Sequence, residues 1–471
     1  MIRTNNPNDD ALIEKIYSEG QEHVLRYWDE LDEKQRRNLL SQLSEVDFEL
    51  LKDLVKKHIS FIDDSDSSED SVDDFQPPKV IKIPETTDDL AYKKTAEETG
   101  KRYLKEGKVA VFIVAGGQGS RLGYEGPKGC FRISPIKRKT IFQLHCEKIF
   151  ALEKKYSQKF PLYIMTSDDN HEQTKEFFEM HDYFGLKEVH FFKQSMIPAV
   201  DKNGKLILSA KDEIFRNPNG HGGSIYAIKE SGALSDIKSK GIEIIFYMQV
   251  DNILVNIMDP AFLGYHVIEK SDMSSKAVSK ASPEEKVGVL GMKNGKNTVI
   301  EYSNLPNNLR YERNTDGSLK FDAGNIAIHC INVDFVERVY NRKLPYNKAF
   351  KAVPYINNDG EKVNPESPNA YKFEMFVFDA LSMTENSTIM MVDRRTDFAP
   401  VKNKDGEDSP ASAKKMMSDF YKRWLKKAGI SFKEDSVIEI SPLYALNEIE
   451  LVDKLNDETK DFESLDEIYL E

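Results

Sequence analysis

Arg121 and Lys128 follow a glycine-rich turn that ends an apolar run, VAVFIVAGGQGSRLGYEGPKG from Val109 to Gly129. Backbone N–H groups that a ligand can approach closely, beside two cations, suit a phosphate. Glycine permits the sharp turn and the close approach. Val109, Val111, Phe112, Ile113 and Val114 give the run the composition of a buried parallel strand. The stretch predicts a nucleotide-phosphate loop at the carboxyl end of the first strand of an α/β domain. It is neither of two better-known loops. A dinucleotide fingerprint needs a third glycine where Leu122 stands, and a P-loop needs glycine, not Pro127, before its lysine.

A second glycine cluster, NPNGHGGSIY, spans Asn217 to Tyr226 and opens a predicted helix, Ser224 to Ser231. Gly220, Gly222 and Gly223 suit a turn that holds a base or sugar against backbone. A third element is FYMQVDN, Phe246 to Asn252, where Asp251 ends an apolar strand. One carboxylate at a strand end suits Mg²⁺, which takes few protein ligands and completes its shell with phosphates and water. The alternative is that Asp251, with Asn252, caps the next turn. Two glycine turns in one α/β domain favour a nucleotide site.

These residues need elements to position them. From about Lys105, strand-like runs (Leu162 to Thr166, Val189 to Phe192, Ile242 to Val250, Val287 to Met292, and the segment Asp322 to Val333) alternate with helical stretches such as Thr140 to Tyr156 and His171 to His181. The alternation predicts a Rossmann-like α/β fold, a mostly parallel mixed sheet flanked by helices. Before it, Leu12, Ile13, Ile16, Leu39, Leu40, Leu43, Leu50, Leu51 and Val55 recur at helical spacing and predict two or three amphipathic helices packed on the main domain. The expected division is a helical N-terminal region over 1–100 with an acidic linker at 63–76, a central α/β domain over 101–384, and a small C-terminal α/β domain over 385–471. The linker contains DDSDSSEDSVDD, a composition that cannot bury a core.

A chain of 471 residues with formal net charge −13 argues against broad nucleic-acid binding. Anionic ligands must then be held by local cations and metal. Three widely spaced cysteines, Cys130, Cys146 and Cys330, suggest a reducing compartment and no disulfide framework, and no Cys/His spacing suits zinc. A polar N-terminus and no long apolar run point to a cytoplasmic protein with no membrane partner. A monomer or weak homodimer is expected.

The glycine loop Gly116 to Gly123 with Pro127-Lys128-Gly129 resembles the signature of eukaryotic UDP-N-acetylglucosamine pyrophosphorylases, a branch of the UDP-sugar pyrophosphorylases. The likeness continues in order through Lys139 to Gln143, Phe191 to Ala199, Val250-Asp251-Asn252, Val299 to Ser303, Asn325-Ile326-Ala327, Lys372-Phe373-Glu374 with Phe376 to Asp379, and Pro400 to Asn403. It implies a nucleotidyltransferase, GT-A-like fold. It further implies that Ala115, Gly116 and Gly117 contact uridine, and that Gln194 and Gly220 recognise uracil. Arg121 and Lys128 would hold the UTP phosphates, and Asp251, with Asn252 beside it in the substrate site, would bind Mg²⁺. Glu301 and Asn325 would hold the sugar, while Lys372 and Lys402 would grip the sugar phosphate and the reacting phosphoryl group. Lys402 falls in the expected C-terminal domain, which would have to fold over the site to deliver it. Two residues depart from the pattern. Ser120 stands where Thr is usual, and His221 stands where Asn is usual. A histidine there is more typical of enzymes using unacetylated sugars.

The reaction implied is UTP plus N-acetylglucosamine 1-phosphate giving UDP-N-acetylglucosamine and pyrophosphate. The sugar phosphate is already ionised, so no Ser–His or Cys–His nucleophile pair is required, and none is evident. The alternatives are the same chemistry on glucose, galactose or N-acetylgalactosamine 1-phosphate, a glycosyltransferase, and a UDP-sugar-binding protein without activity. A glycosyltransferase would be expected to carry a D-x-D metal motif, but Gln249-Val250 precede Asp251. Retention of Arg121 and Lys128 counts against the inactive binder.

Overall fold

The computed structural model describes residues 2–60, 74–455 and 462–471. Contacts divide the chain into two units: Met1–Ser71 with Ser195–Gly223 and Leu344–Val377, and Val72–Gln194 with Ser224–Lys343 and Phe378–Glu471.

In the smaller unit three helices form at the expected places: α1 (Pro7–Ser18), α2 (Glu33–Ser44) and α3 (Phe48–Val55). Each start is fixed by a side-chain cap. Asn6 accepts from Asn8 N with Pro7 at the first helical position, Asp32 and Gln35 form a capping box, and Asp47 accepts from Leu50 N. The apolar faces carrying Ile13, Ile16, Leu39, Leu43, Leu51 and Leu54 pack with Ile197, Val200, Leu206, Leu208 and Phe373 in one core. Gln21 locks this packing: its Nε2 donates to Gly204 O (3.0 Å) and its Oε1 accepts from Leu206 N (2.9 Å). The helices thus pack on segments that the sequence division assigned to the central domain. Those segments form short strand pairs, Met196–Pro198 with Arg216–Pro218 and Asn347–Lys351 with Ala370–Glu374.

In the larger unit, ten strands among the described residues form one sheet. They are β1 (Val80–Ile81), β2 (Val109–Val114), β3 (Leu162–Thr166), β4 (Val189–Lys193), β5 (Ile244–Gln249), β6 (Met273–Ser279), β7 (Val289–Lys293), β8 (Lys296–Ile300), β9 (Ala323–Asn332) and β10 (Ser387–Met391). The order is β1-β10-β6-β9-β5-β2-β3-β4, with the β7–β8 pair attached to β9. Every pairing along that order is parallel except the two made by β9. The fold is therefore the expected mostly parallel mixed sheet, and β2 is buried along nearly its whole length because both faces are covered. The strand expected to be first is second, since the two-residue β1 precedes it at the sheet edge.

Helix α4 (Thr87–Lys105) belongs to this unit rather than to the N-terminal helices. It packs on α6 (Pro260–Ile268), so closely that a Cβ on Gly264 would lie 1.7 Å from Ala96 O. Helix α5 (Ile141–Tyr156) follows the glycine loop. The 385–471 segment does not form a contact unit of its own. Its strand β10 lies inside the sheet. Its helix α7 (Pro410–Lys427) and the parallel pair Val437–Ile440 and Glu467–Leu470 contribute Met417, Leu425, Ile438 and Leu470 to the core that also holds Ile113, Phe142 and Ile149. Burial of that shared apolar surface is what joins the segment to the sheet. Residues 63–73 of the acidic linker lie outside the described residues. No helix among the described residues is long and apolar enough to cross a membrane. The three cysteines are buried, unpaired thiols, and burial pushes Cys130 up to about 12.

Candidate active site

Strands β2, β3, β4 and β5 run parallel, so their carboxyl ends share one sheet edge. The order turns back at β2, which has β3 on one side and β5 on the other, and ligands of open α/β sheets bind outside such a point. Ala115, Ser167, Gln194 and Asp251 all lie just beyond these strand ends.

The glycine loop is closed on itself by backbone bonds from Lys128 N to Gly117 O (3.0 Å) and Gly119 N to Gly126 O (2.9 Å). It carries 3-10 turns at Ser120–Leu122 and Lys128–Cys130 before α5 begins, so its free N–H groups belong to the loop and not to a helix start. Asn170, 1% exposed, pins the loop: its Nδ2 donates to Ala115 O (2.8 Å) and Gly117 O (3.3 Å), while its Oδ1 accepts from Ser167 N. Gly116 faces Gln194 closely enough that a Cβ would lie 2.8 Å from Gln194 Oε1. Gln194 itself is nearly buried, with its N–H on Thr166 O. Arg121 stands exposed on the first 3-10 turn.

Lys128 Nζ lies 3.3 Å from Asp251 Oδ2, with side chains 19% and 11% exposed. Asp251 O accepts from Val401 N (3.0 Å). Asn252 uses both ends of its amide on the same segment, Nδ2 to Asp397 O (2.7 Å) and Oδ1 from Ala399 N (2.9 Å). Lys402 therefore reaches this edge on a strip of backbone fastened to Asp251 and Asn252, not on a body of its own. Asn252, expected to touch substrate, here ties the strip that carries Lys402. The strip is anchored below by Lys276, 0% exposed, which pairs with Asp259 (2.8 Å) and Asp397 (2.5 Å). Burial opposes the charge of Lys276, but its two carboxylates outweigh that and hold its pKa above the usual lysine range.

Helix α5 supports the turn after Asp251 from the other side. His145 Nε2 meets Val250 O (2.8 Å), and Lys148 Nζ donates to Ile253 O (2.8 Å) and Val255 O (2.9 Å). Burial drives His145 down to about 3 and Lys148 down to about 7.

β9 runs antiparallel beside β5, so its beginning lies toward the carboxyl end of β5. Asn325 sits there, next to an irregularity in the β6–β9 pairing and to Ala327 at φ +54°. Its N–H donates to Gly288 O (2.8 Å), and Glu301 Oε1 lies 3.5 Å from where a Cβ on Gly288 would be. Gly288 thus neighbours both Asn325 and Glu301.

Gly220, His221 and Lys372 belong to the smaller unit. Gly220 has φ +85°, and a Cβ would lie 2.4 Å from Met375 O, so glycine alone fits. His221 stacks on Phe376 (5.4 Å between centroids) and its Nδ1 accepts from Val377 N (3.2 Å). Burial lowers its pKa to about 4, which keeps it neutral near pH 7. Lys372 lies over the Phe215 ring, and burial lowers its pKa. Sequence reasoning missed Asn170, Lys148, Lys276 and Asp397. Only Asn170 had a signal, its place in the short Ser/Asp/Asn-rich turn that follows the strand ending at Thr166.

A closed glycine loop, a carboxylate at the next parallel strand end and a lysine fastened beside it define an α/β nucleotide-binding protein built to hold phosphate. Residues 51–469 match the family model described as UTP--glucose-1-phosphate uridylyltransferase, and the chain belongs to that family. It is similar to the probable UDP-N-acetylglucosamine pyrophosphorylase of Dictyostelium discoideum, 32% identical over 96% of each chain. It is 34% identical to the UDP-N-acetylglucosamine pyrophosphorylase of Saccharomyces cerevisiae, over 90% of this chain and 92% of that one. Among solved structures it resembles the uridine diphosphate N-acetylglucosamine pyrophosphorylase of Trypanosoma brucei in complex with inhibitor, with a TM-score of 0.84 and 27% identity over 100% of this chain and 99% of that one.

Proposed function

We propose that the protein is a uridylyltransferase making UDP-N-acetylglucosamine and pyrophosphate from UTP and N-acetylglucosamine 1-phosphate. The observation that carries it is the meeting of Lys128, Asp251 and the Lys402 strip beside the glycine loop. The names of its relatives supply the sugar. A sugar-phosphate oxygen attacks the α-phosphorus of UTP in line, the bond to the bridging oxygen breaks, and pyrophosphate leaves.

In this reading Ala115, Gly116 and Gly117 take the uridine against backbone, and Gln194 reads the uracil edge. Arg121 and Lys128 hold the departing phosphates, and Lys402 holds the reacting phosphoryl group. Charges placed where charge develops, and reactants held in line, supply the rate. Glu301 and Asn325 take the sugar. Gly220 and Lys372 keep the roles that the family resemblance gives them.

Asp251 fits a divalent cation, being an oxygen donor nearly buried at a strand end. Among the described residues no group of three or more His, Cys, Asp or Glu side chains could hold an ion, so phosphate oxygens and water would complete the shell, which suits Mg²⁺. Bound there, the ion would neutralise phosphate charge. The buried, unpaired thiols support a cytoplasmic, reducing setting, and a monomer or weak homodimer is proposed with it.

A second reading has glucose or galactose 1-phosphate as the substrate, which His221 favours, and N-acetylgalactosamine 1-phosphate is a further alternative. Incubation of the purified protein with UTP, Mg²⁺ and a panel of sugar 1-phosphates, with pyrophosphate measured, separates them. N-acetylglucosamine 1-phosphate is expected to turn over fastest, and no pyrophosphate with any sugar would refute the enzyme.

A further inference from the structure

We infer that Asp408 is a positioning residue for Lys402, holding both its backbone and its ammonium group. The inference rests on the proposed role of Lys402 above. The carbonyl of Asp408 accepts from Lys402 N (2.7 Å) and from Asn403 N (3.1 Å) and so closes the loop from Lys402 to Asp408 into a ring. Asn403 Nδ2 adds a bond to Glu407 O (3.0 Å) across the same ring. Asp408 sits at φ +54°, a conformation that Asp tolerates better than most side chains. Directly after it, Ser409, 1% exposed, caps helix α7 in a capping box with Ser412. The helix start therefore needs nothing from the Asp408 side chain. What the helix gives Asp408 is a rigid mount, joined to the core through Ala413 and Met417.

The Asp408 carboxylate lies 3.9 Å from Lys402 Nζ. The groups facing it are Lys402, Asp251, Glu285 and Arg394. Burial pushes its pKa up, and Asp251 and Glu285 push it further, against the pull of Lys402 and Arg394. A half-buried carboxylate beside two others is unfavourable by itself. Here it fixes where a lysine on a long flexible stem rests. Lys402 is thus held at three points: Val401 N on Asp251 O, its own N–H on Asp408 O, and its ammonium between Asp408 and the Phe398 ring (5.7 Å). When a phosphate arrives, Lys402 exchanges a carboxylate partner for a phosphate one without searching for its place.

The test is a double-mutant cycle in the full chain with Asp408→Asn, Lys402→Ala and the pair. Asp408→Asn keeps the carbonyl and the tolerance for positive φ while removing the charge. It is expected to lower kcat roughly three-fold, the order of one ion pair whose side chains are 42% and 38% exposed. KM for UTP should stay within about two-fold, and the thermal midpoint should not move. In the Lys402→Ala background the same change is expected to cost nothing further. A second readout is the rate at which an amine-acylating reagent labels Lys402 near pH 8, followed by mass spectrometry. Loss of the neighbouring carboxylate should speed it. An equal fall in kcat with and without Lys402, a wild-type kcat, or an unchanged labelling rate would each overturn the inference. A wild-type protein that releases no pyrophosphate would instead sink the proposed reaction.

Discussion

Replacing Gly116 by alanine separates recognition from stability at one atom. The new Cβ would lie 2.8 Å from Gln194 Oε1, 3.5 Å from Ser167 N and 3.6 Å from Ser167 Cβ. Only the first contact is too short. Ordinary contact begins near 3.4 Å, so Oε1 must retreat by 3.4 − 2.8, or about 0.6 Å. The tip of a flexible side chain does this cheaply, and the expected cost in stability is under about 1 kcal/mol. A hydrogen bond that Gln194 Oε1 accepts from uracil, stretched by that amount from ~2.9 Å, passes out of good geometry. Loss of one such bond is worth about 1–1.5 kcal/mol, or roughly ten-fold. KM for UTP should therefore rise about ten-fold, and preference for UTP over CTP should fall with it, while the thermal midpoint holds. Initial-rate assays of pyrophosphate release and a thermal melt measure all three. An unchanged KM for UTP beside an unchanged melt would refute the role of Gln194. A large fall in the melt would refute the claim that only the side-chain tip has to move.

Arg121→Ala and Lys402→Ala should each lower turnover ~100-fold or more at saturating substrates, as loss of one charge-stabilising donor does, and near-wild-type turnover would remove that residue from the mechanism. Lys276→Met leaves Asp259 and Asp397 buried without their cation. It should destabilise by about 3–5 kcal/mol, read as a lower melting temperature or loss of folded protein, and an unshifted melt would contradict the pairing. His266 is buried between Ser274 Oγ (2.8 Å) and Asn332 Oδ1 (3.0 Å), and burial lowers its pKa to about 4 from 6.5. A depressed histidine binds its proton first in the unfolded chain. Its contribution is therefore full above about pH 6.5 and is lost as pH falls toward 4. His266→Gln should flatten the acid-side fall of denaturant stability, and an identical pH slope would show that the group is not the cause.

Much of the larger unit was legible because its signals are local. The 109–114 strand is buried on both faces and reads as a continuous apolar run. Helix α5, expected over Thr140 to Tyr156, begins one residue later because Thr140 is its N-cap. The smaller unit was not legible as a unit. Its strands are two to five residues long and come from segments far apart in sequence. Such pairs leave no periodicity to read. His145 and Lys148 look like polar positions on an amphipathic helix, and nothing local says that their partners are carbonyls about a hundred residues away.

Alone, the sequence determined the chemistry available: a glycine loop, Arg121 and Lys128 beside it, and Asp251 at a strand end. Those are properties of residue type and short spacing, which a chain carries before it folds. Only the tertiary structure decided how Lys402 is delivered. The sequence put it in a separate C-terminal domain that would close over the site. Instead, Val401 bonds to Asp251, Asn252 grips residues 397 and 399, and α7 shares one core with the sheet. Burial of that shared apolar surface, and backbone bonds across some 150 residues of chain, are long-range effects that no local pattern encodes.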